Sequence, residues 1–267
     1  MNFSISEIKE IVCTIAHYEN MDYSGYLISF LKRRLTTVFE MLNIKKIASF
    51  YEMLKETEIR DRVIGELFIE TTEIFRDPSF WRYVRENVIN LLPDDSTVWF
   101  PNETTGEEAF SLSIILNEQK LNNKIKILCN NPSEYCCNNI INGNVLAKNH
   151  ELNQANYKRL ENFDLFEKYF LNEDDSVQRI SLELKDSIQC KHVSYTKAIE
   201  NEKIAMIFAR NQALYFNHSF SEEYFEFLYE KLMIGGFLAI GIKENLPRSV
   251  DRKMRVISAT EKIYKKE

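Results

Sequence analysis

The stretch Thr104-Thr-Gly-Glu-Glu-Ala-Phe-Ser-Leu-Ser-Ile-Ile-Leu116, read with Ile204-Ala-Met-Ile-Phe-Ala-Arg-Asn-Gln-Ala-Leu-Tyr-Phe-Asn217, decides the fold. The first follows the apolar run Thr97 to Phe100 and passes through Gly106 into a helical pattern ending near Leu116. The second opens on the apolar run Ile204 to Ala209 and ends in polar residues. Short apolar runs that stop at polar side chains are the pattern of buried parallel strands delivering groups at their carboxyl ends. In open α/β sheets that edge is where ligands bind.

Further strands are expected over Lys126 to Cys129 and Phe237 to Ile242, the latter entered through a Gly235-Gly236 turn. Helices are expected over Ser133 to Ile141 and Ser221 to Leu232. Alternation of the two element types predicts parallel βαβ units with right-handed crossovers. Leu152 to Cys190 fits this scheme poorly and reads as an insertion.

Before Pro93 the periodicity is helical. Ser4 and Glu7 form a capping box ahead of Ile8, Ile11, Val12 and Ile15. A helix from about Tyr23 to Leu42 has Leu27, Leu31, Leu35, Val38, Phe39 and Leu42 as its inner stripe and Lys32, Arg33 and Arg34 outside. Ile47 to Leu54 is a third helix, and Asp77-Pro78 marks the start of a fourth, with Asp77 as cap. Three regions follow: a helical N-terminal domain (1–76), a linker helix and turn (77–96), and an α/β domain (97–267) with a possible subdomain at about 152–190.

Bulk properties narrow the function classes. A chain of 267 residues, 45% apolar, can bury a sizeable core. No apolar run is long enough to span a bilayer, and the N-terminus carries acid where a secretion signal is basic, so a cytoplasmic protein is expected. A formal charge of -6 argues against general nucleic-acid binding. Five cysteines without a C-x-x-C spacing, and four scattered histidines, suggest reduced thiols and no metal.

Taken in register, these motifs resemble the CheR-type methyltransferases, which esterify glutamates of chemotaxis receptors. Trp99 followed by Thr104, Thr105, Gly106, Glu107 and Glu108 is similar to the family's cofactor loop. Phe68-Ile-Glu-Thr-Thr-Glu-Ile-Phe-Arg-Asp-Pro-Ser-Phe-Trp81 resembles its interdomain segment, matching at Thr72, Phe75, Arg76, Asp77, Pro78 and Trp81. Arg210-Asn211 with Tyr215-Phe216 resembles its second strand-end motif, and Gly235 to Leu246 its Gly-x-Leu-x-x-Gly-x-x-Glu ending.

The resemblance implies a Rossmann-like fold for S-adenosylmethionine with a small all-α N-terminal domain. It implies cofactor contacts from Thr72, Arg76, Gly106, Glu107, Glu108, Asn130, Arg210 and Asn211, with Arg76 and Tyr215 at the reacting centre and S-adenosylhomocysteine as product. It makes Lys32, Arg33 and Arg34 the contacts to a methyl-accepting chemotaxis receptor or similar acidic helical protein, engaged by a monomer. Without it, the plain reading of these groups is a solvated basic face, an acid-stabilised helix start and an aromatic at a domain edge.

The chain departs from the family pattern at three places. Pro101-Asn102-Glu103 replaces a small-residue run, with Asn102 expected to adopt positive φ in place of glycine and Glu103 bringing a bulky acid to the cofactor's approach. Asn130 stands where an aspartate accepts from the ribose hydroxyls, and Ser194-Tyr195 replaces an Asn-Leu pair. These departures favour an alternative: a catalytically impaired homologue acting as a binding or regulatory protein.

Overall fold

The computed structural model describes residues 3–19, 23–67, 73–161, 165–171, 177–197, 199 and 202–267. Four helices come first: α1 (Ile5–Glu19), α2 (Ile28–Met41), α3 (Ile47–Met53) and α4 (Thr57–Leu67). Ser4 and Glu7 form the expected box, Ser4 N–H donating to Glu7 Oε2 at 2.8 Å and Glu7 N–H to Ser4 Oγ at 3.3 Å. The second helix starts later than its stripe suggested. Tyr26 instead bridges to Phe216, an early tie between this region and the later chain.

After α5 (Pro78–Asn87) the alternation begins: β1 (Ser96–Phe100), α6 (Glu107–Glu118), β2 (Ile125–Asn131), α7 (Glu134–Asn142), β3 (Asn144–Leu146) and α8 (His150–Lys158). It continues through β4 (Phe170–Leu171), β5 (Val177–Ile180), α9 (Leu182–Lys185), β6 (Ile188–His192), β7 (Ile204–Ala209) and α10 (His218–Lys231). The chain closes with β8 (Leu232–Ile240), α11 (Arg248–Asp251), β9 (Met254–Ser258) and β10 (Ile263–Lys266).

Seven strands form one sheet in the order β6-β2-β1-β7-β8-β10-β9. The pairs β6–β2, β2–β1, β1–β7 and β7–β8 are parallel, and β10 is antiparallel to both neighbours. This is the expected doubly wound Rossmann-like α/β sheet. Successive strand side chains face opposite ways. Trp99, Leu128 and Ile207 therefore join a core with α1–α4 and α10, while Val98, Phe100, Met206 and Phe208 join one with α5, α6 and α8. Both faces are covered, which is why the strands read as unbroken apolar runs.

The described residues of 152–190 divide between two sheets. Strands β3, β5 and β4 make a separate antiparallel sheet. But Ile188 to Cys190 belong to β6, the edge strand of the main sheet, paired with β2. Gly235-Gly236 likewise lies inside β8, where the register against β7 slips, rather than turning into it. Among the described residues no helix is long and apolar enough to cross a membrane.

Candidate functional site

Winding reverses at β1: β2 lies on one side and β7 on the other. The loops after β1 and β7 therefore meet at the carboxyl edge, the topological switch point of such sheets. Asn102 Nδ2 donates to Gln212 Oε1 at 3.2 Å, and Gln212 Nε2 donates back to the Asn102 carbonyl at 3.2 Å. Tyr224 Oη adds a donor to the same Gln212 oxygen at 2.8 Å. Two segments a hundred residues apart in sequence are thus stitched together.

The loop after β1 holds itself. Glu103 is buried, and its Oε1 accepts from Thr104 N–H at 3.2 Å and Gly106 N–H at 3.0 Å, with a further bond from Thr105 N–H. Asn131 Nδ2 donates to the Glu103 carbonyl at 2.9 Å, tying β2 to the loop. Burial, then the nearby Glu108 charge, push the Glu103 carboxyl from an ordinary 4.5 to about 7, against the pull of those backbone donors. Gly106 carries φ 94 and its missing Cβ would sit 2.6 Å from the Phe110 ring, so only glycine fits. Asn102 was expected in the left-handed region. It is absent from the positive-φ residues, and its side chain bonds to Gln212 instead.

At the end of β2, Asn130 is fully buried. Trp99 Nε1 donates to its Oδ1 at 2.6 Å, while its Nδ2 is buried with no partner. Trp99 takes one of the two lone pairs of that oxygen, and the other group of the amide is a donor.

The first residues of α6 meet an arginine. Arg210, just past β7, has a side chain with 0% exposure. It pairs through Nη1 with Glu108 Oε1 and through Nη2 with Asp77 Oδ2 at 2.6 Å, and its guanidinium lies 3.9 Å over the Phe80 ring. Asp77 therefore does not cap α5 as expected. It makes no capping hydrogen bond and sits left-handed at φ 58 because its carboxylate is turned to Arg210. Burial raises the Glu108 carboxyl, and the Arg210 and Arg76 charges oppose that rise.

Arg76 is half-buried and close enough to Glu108 to act on its ionisation. Its strand of linker is fixed by Ile74 N–H to Asn153 Oδ1 at 2.9 Å and Phe75 N–H to Ser111 Oγ at 2.8 Å. Phe75 is left-handed at φ 57 and Asn211 at φ 60. Thr72 lies outside the described residues. Glu107 is buried at the first position of α6.

Tyr215 ends a short turn after Asn211 and stacks on Phe30 of α2 at 4.5 Å between centroids. Leu27 N–H donates to its carbonyl at 2.8 Å. The expected basic face of α2 is divided. Arg33 is exposed and lies 5.6 Å over the Tyr215 ring, and Lys32 is half-buried. Arg34 is turned inward: its Nε donates to the Glu66 carbonyl at 2.6 Å and its Nη2 pairs with the Glu66 carboxylate at 3.7 Å. It ties α2 to the end of α4 and is not an outward contact.

Sequence reasoning passed over Glu244. It appears in the matched Gly-x-x-Glu ending, but nothing there reveals its partners: Asn211 N–H at 2.8 Å and Ala213 N–H at 2.7 Å, in the turn after β7. The arrangement suits an adenosyl cofactor in most respects. Asn130 offers an unspent buried donor, and the loops meet where such ligands lie. Glu103 is the exception, because it already occupies the backbone donors of the first loop.

Comparison with known proteins agrees. Residues 70–263 match the family model "CheR methyltransferase, SAM binding domain". Cher3 of Pseudomonas putida is 24% identical over 244 residues, covering 90% of this chain and 89% of its own. A chemotaxis protein methyltransferase of Listeria innocua is 22% identical, covering 86% of this chain and 87% of itself. Chemotaxis protein methyltransferase 2 of Vibrio cholerae is 24% identical, covering 82% and 78%. The solved StiE O-MT structure covers 73% of this chain and 50% of its own at 12% identity, with a TM-score of 0.35, too low to bear on the argument. The match over 70–263 spans most of the sequence, and the chain belongs to the CheR methyltransferase family.

Proposed function

We propose that the protein transfers a methyl group from S-adenosylmethionine to glutamate carboxylates of methyl-accepting chemotaxis receptors, as a cytoplasmic monomer. The observation that supports this most is the stitching of the two loops at the switch point through Asn102 and Gln212, with the Arg210 ion pairs beneath. In this reading residues 1–76 serve as the receptor-facing module, 77–96 as linker, and 97–267 as the catalytic domain.

The cofactor supplies an electrophilic methyl group. A glutamate acceptor is already ionised near neutral pH, so no general base is needed. The protein has to align acceptor and donor and exclude water. Arg76 orients the acceptor carboxylate with its planar fork, and the Tyr215 hydroxyl donates one further bond. Glu107, Glu108, Gly106, Asn130 and Asn211 surround the cofactor. Arg210 shapes the site from below, because its charge is already matched by Glu108 and Asp77. Arg33 presents the outward positive charge to an acidic partner.

Glu103 favours a second reading, in which the chain keeps the fold but binds cofactor weakly and acts as a regulatory protein. Its carboxyl takes the loop N–H groups that a small residue would leave open. Calorimetric titration with S-adenosylmethionine and S-adenosylhomocysteine separates the two. Saturable binding, followed by base-labile transfer of labelled methyl to a receptor cytoplasmic domain, supports the enzyme. No heat at millimolar ligand overturns it.

A further inference from the structure

The turn after β7 is held from outside. Glu244, in the loop beyond β8, is 3% exposed. Its Oε2 accepts from Asn211 N–H at 2.8 Å and from Gly241 N–H at 2.5 Å. Its Oε1 accepts from Ala213 N–H at 2.7 Å, and Leu214 N–H also bonds to this carboxylate. The groups that most favour its ionised form are backbone N–H donors, those of Gly241, Asn211, Ala213 and Leu214. Burying a carboxylate is expensive. What it provides in return is geometry: three donors from one turn are gathered at one point.

The other side of the lock is Gly241. A Cβ there would stand 2.5 Å from Asn211 Oδ1, 2.7 Å from Glu244 Oε2 and 2.9 Å from Asn211 N. The two loops close on each other only because this position carries no side chain. The turn so held then receives α2, through Leu27 N–H on the Tyr215 carbonyl at 2.8 Å and Phe30 on the Tyr215 ring. One carboxylate therefore sets where Asn211 stands and where the helical region meets Tyr215.

We infer that Glu244 is the positioning residue of this half of the site, acting on ligands only through the placement of Asn211 and Tyr215. The inference rests on the proposed cofactor contact of Asn211, and its test has a readout that does not. Glu244→Gln puts an amide NH2 against backbone N–H groups, so part of the grip becomes repulsive. S-adenosylhomocysteine affinity is measured for wild type, Glu244→Gln, Asn211→Ala and the double variant, with amide hydrogen exchange on the first two. Glu244→Gln is expected to weaken binding about tenfold in wild type and less than about twofold in the Asn211→Ala background, the non-additivity of residues acting as one unit. Amides 211, 213 and 214 are expected to exchange faster while the interiors of β7 and β8 keep their protection.

A merely structural role predicts equal losses in both backgrounds and exchange accelerated throughout the sheet; either result overturns the inference. If Glu244→Gln fails to fold, Glu244→Asp keeps the charge but draws the carboxylate back from the same donors by one methylene and is read the same way. If wild type binds no S-adenosylhomocysteine, the cofactor reading falls and the exchange pattern alone decides. Local acceleration at 211–214 upholds the positioning role, and unchanged protection there refutes it.

Discussion

The two loops at the switch point are each gripped by a buried glutamate, but in opposite ways. Glu103 bonds to N–H groups of its own loop within three residues. Glu244 bonds to a turn thirty-odd residues earlier in the chain. A self-directed acid shapes only the segment that carries it, so it can be exchanged without disturbing the rest of the sheet. A remote one is a tie between strands, and its loss moves whatever the turn supports. The β1 loop is therefore the adjustable half of the site and the β7 loop the fixed half.

The largest expected effect tests the fixed half. Arg210→Met leaves the buried Glu108 without its partner, and breaking a buried pair from one side costs about 3–5 kcal/mol. The urea midpoint should fall accordingly; a loss near zero would mean that the pairs with Glu108 and Asp77 do not hold this loop.

The adjustable half predicts the opposite sign. Glu103 is raised in the folded protein from 4.5 to about 7, so folding favours its protonated form. The part of its burial cost that comes from ionisation is absent below pH 4.5, grows as pH rises to 7, and stays constant above that. Glu103→Gln should therefore match wild type in stability at pH 4 and exceed it by about 3 kcal/mol at pH 8. Chemical denaturation at the two pH values checks this, and a gain that is equal at both would contradict it. Burial likewise raises Glu108 and Glu244, so their contributions weaken the fold in the same alkaline direction.

A smaller effect concerns the cofactor. Asn130→Asp keeps the acceptor for Trp99, removes the orphaned Nδ2 and adds charge towards ribose hydroxyls. S-adenosylhomocysteine should then bind about tenfold tighter, as charge-assisted hydrogen bonds do. Unchanged affinity would place the ribose elsewhere. The smallest effect lies at the seam with α2: Arg33→Ala removes an exposed cation–π contact worth about 0.5–1 kcal/mol. A shift in thermal midpoint beyond that would mean Arg33 does more than cover Tyr215 and Phe30.

Local patterns were legible where local physics decides. β7 occupies the expected Ile204 to Ala209, and Ser133 caps α7 by accepting from Cys136 N–H at 3.2 Å. Two elements escaped. α4 has charged residues interrupting its stripe, and β6, with the sequence Ile-Gln-Cys-Lys-His, is an edge strand with one polar side and so lacks the apolar run of its neighbours. The site's framework was the least legible. Asp77 looks like a helix cap, and only Arg210, 133 residues on, explains why it is not one. Glu244 was visible as a letter in a motif, yet its donors are backbone groups of another loop, which carry no side-chain signature.

The central claim is that the loops after β1 and β7 form one ligand site. Amide hydrogen exchange of the wild-type protein with and without saturating S-adenosylhomocysteine tests it most directly. Slower exchange confined to residues 102–106, 130–131 and 210–214 is the predicted result. Binding that protects other segments and leaves both loops unchanged would contradict it.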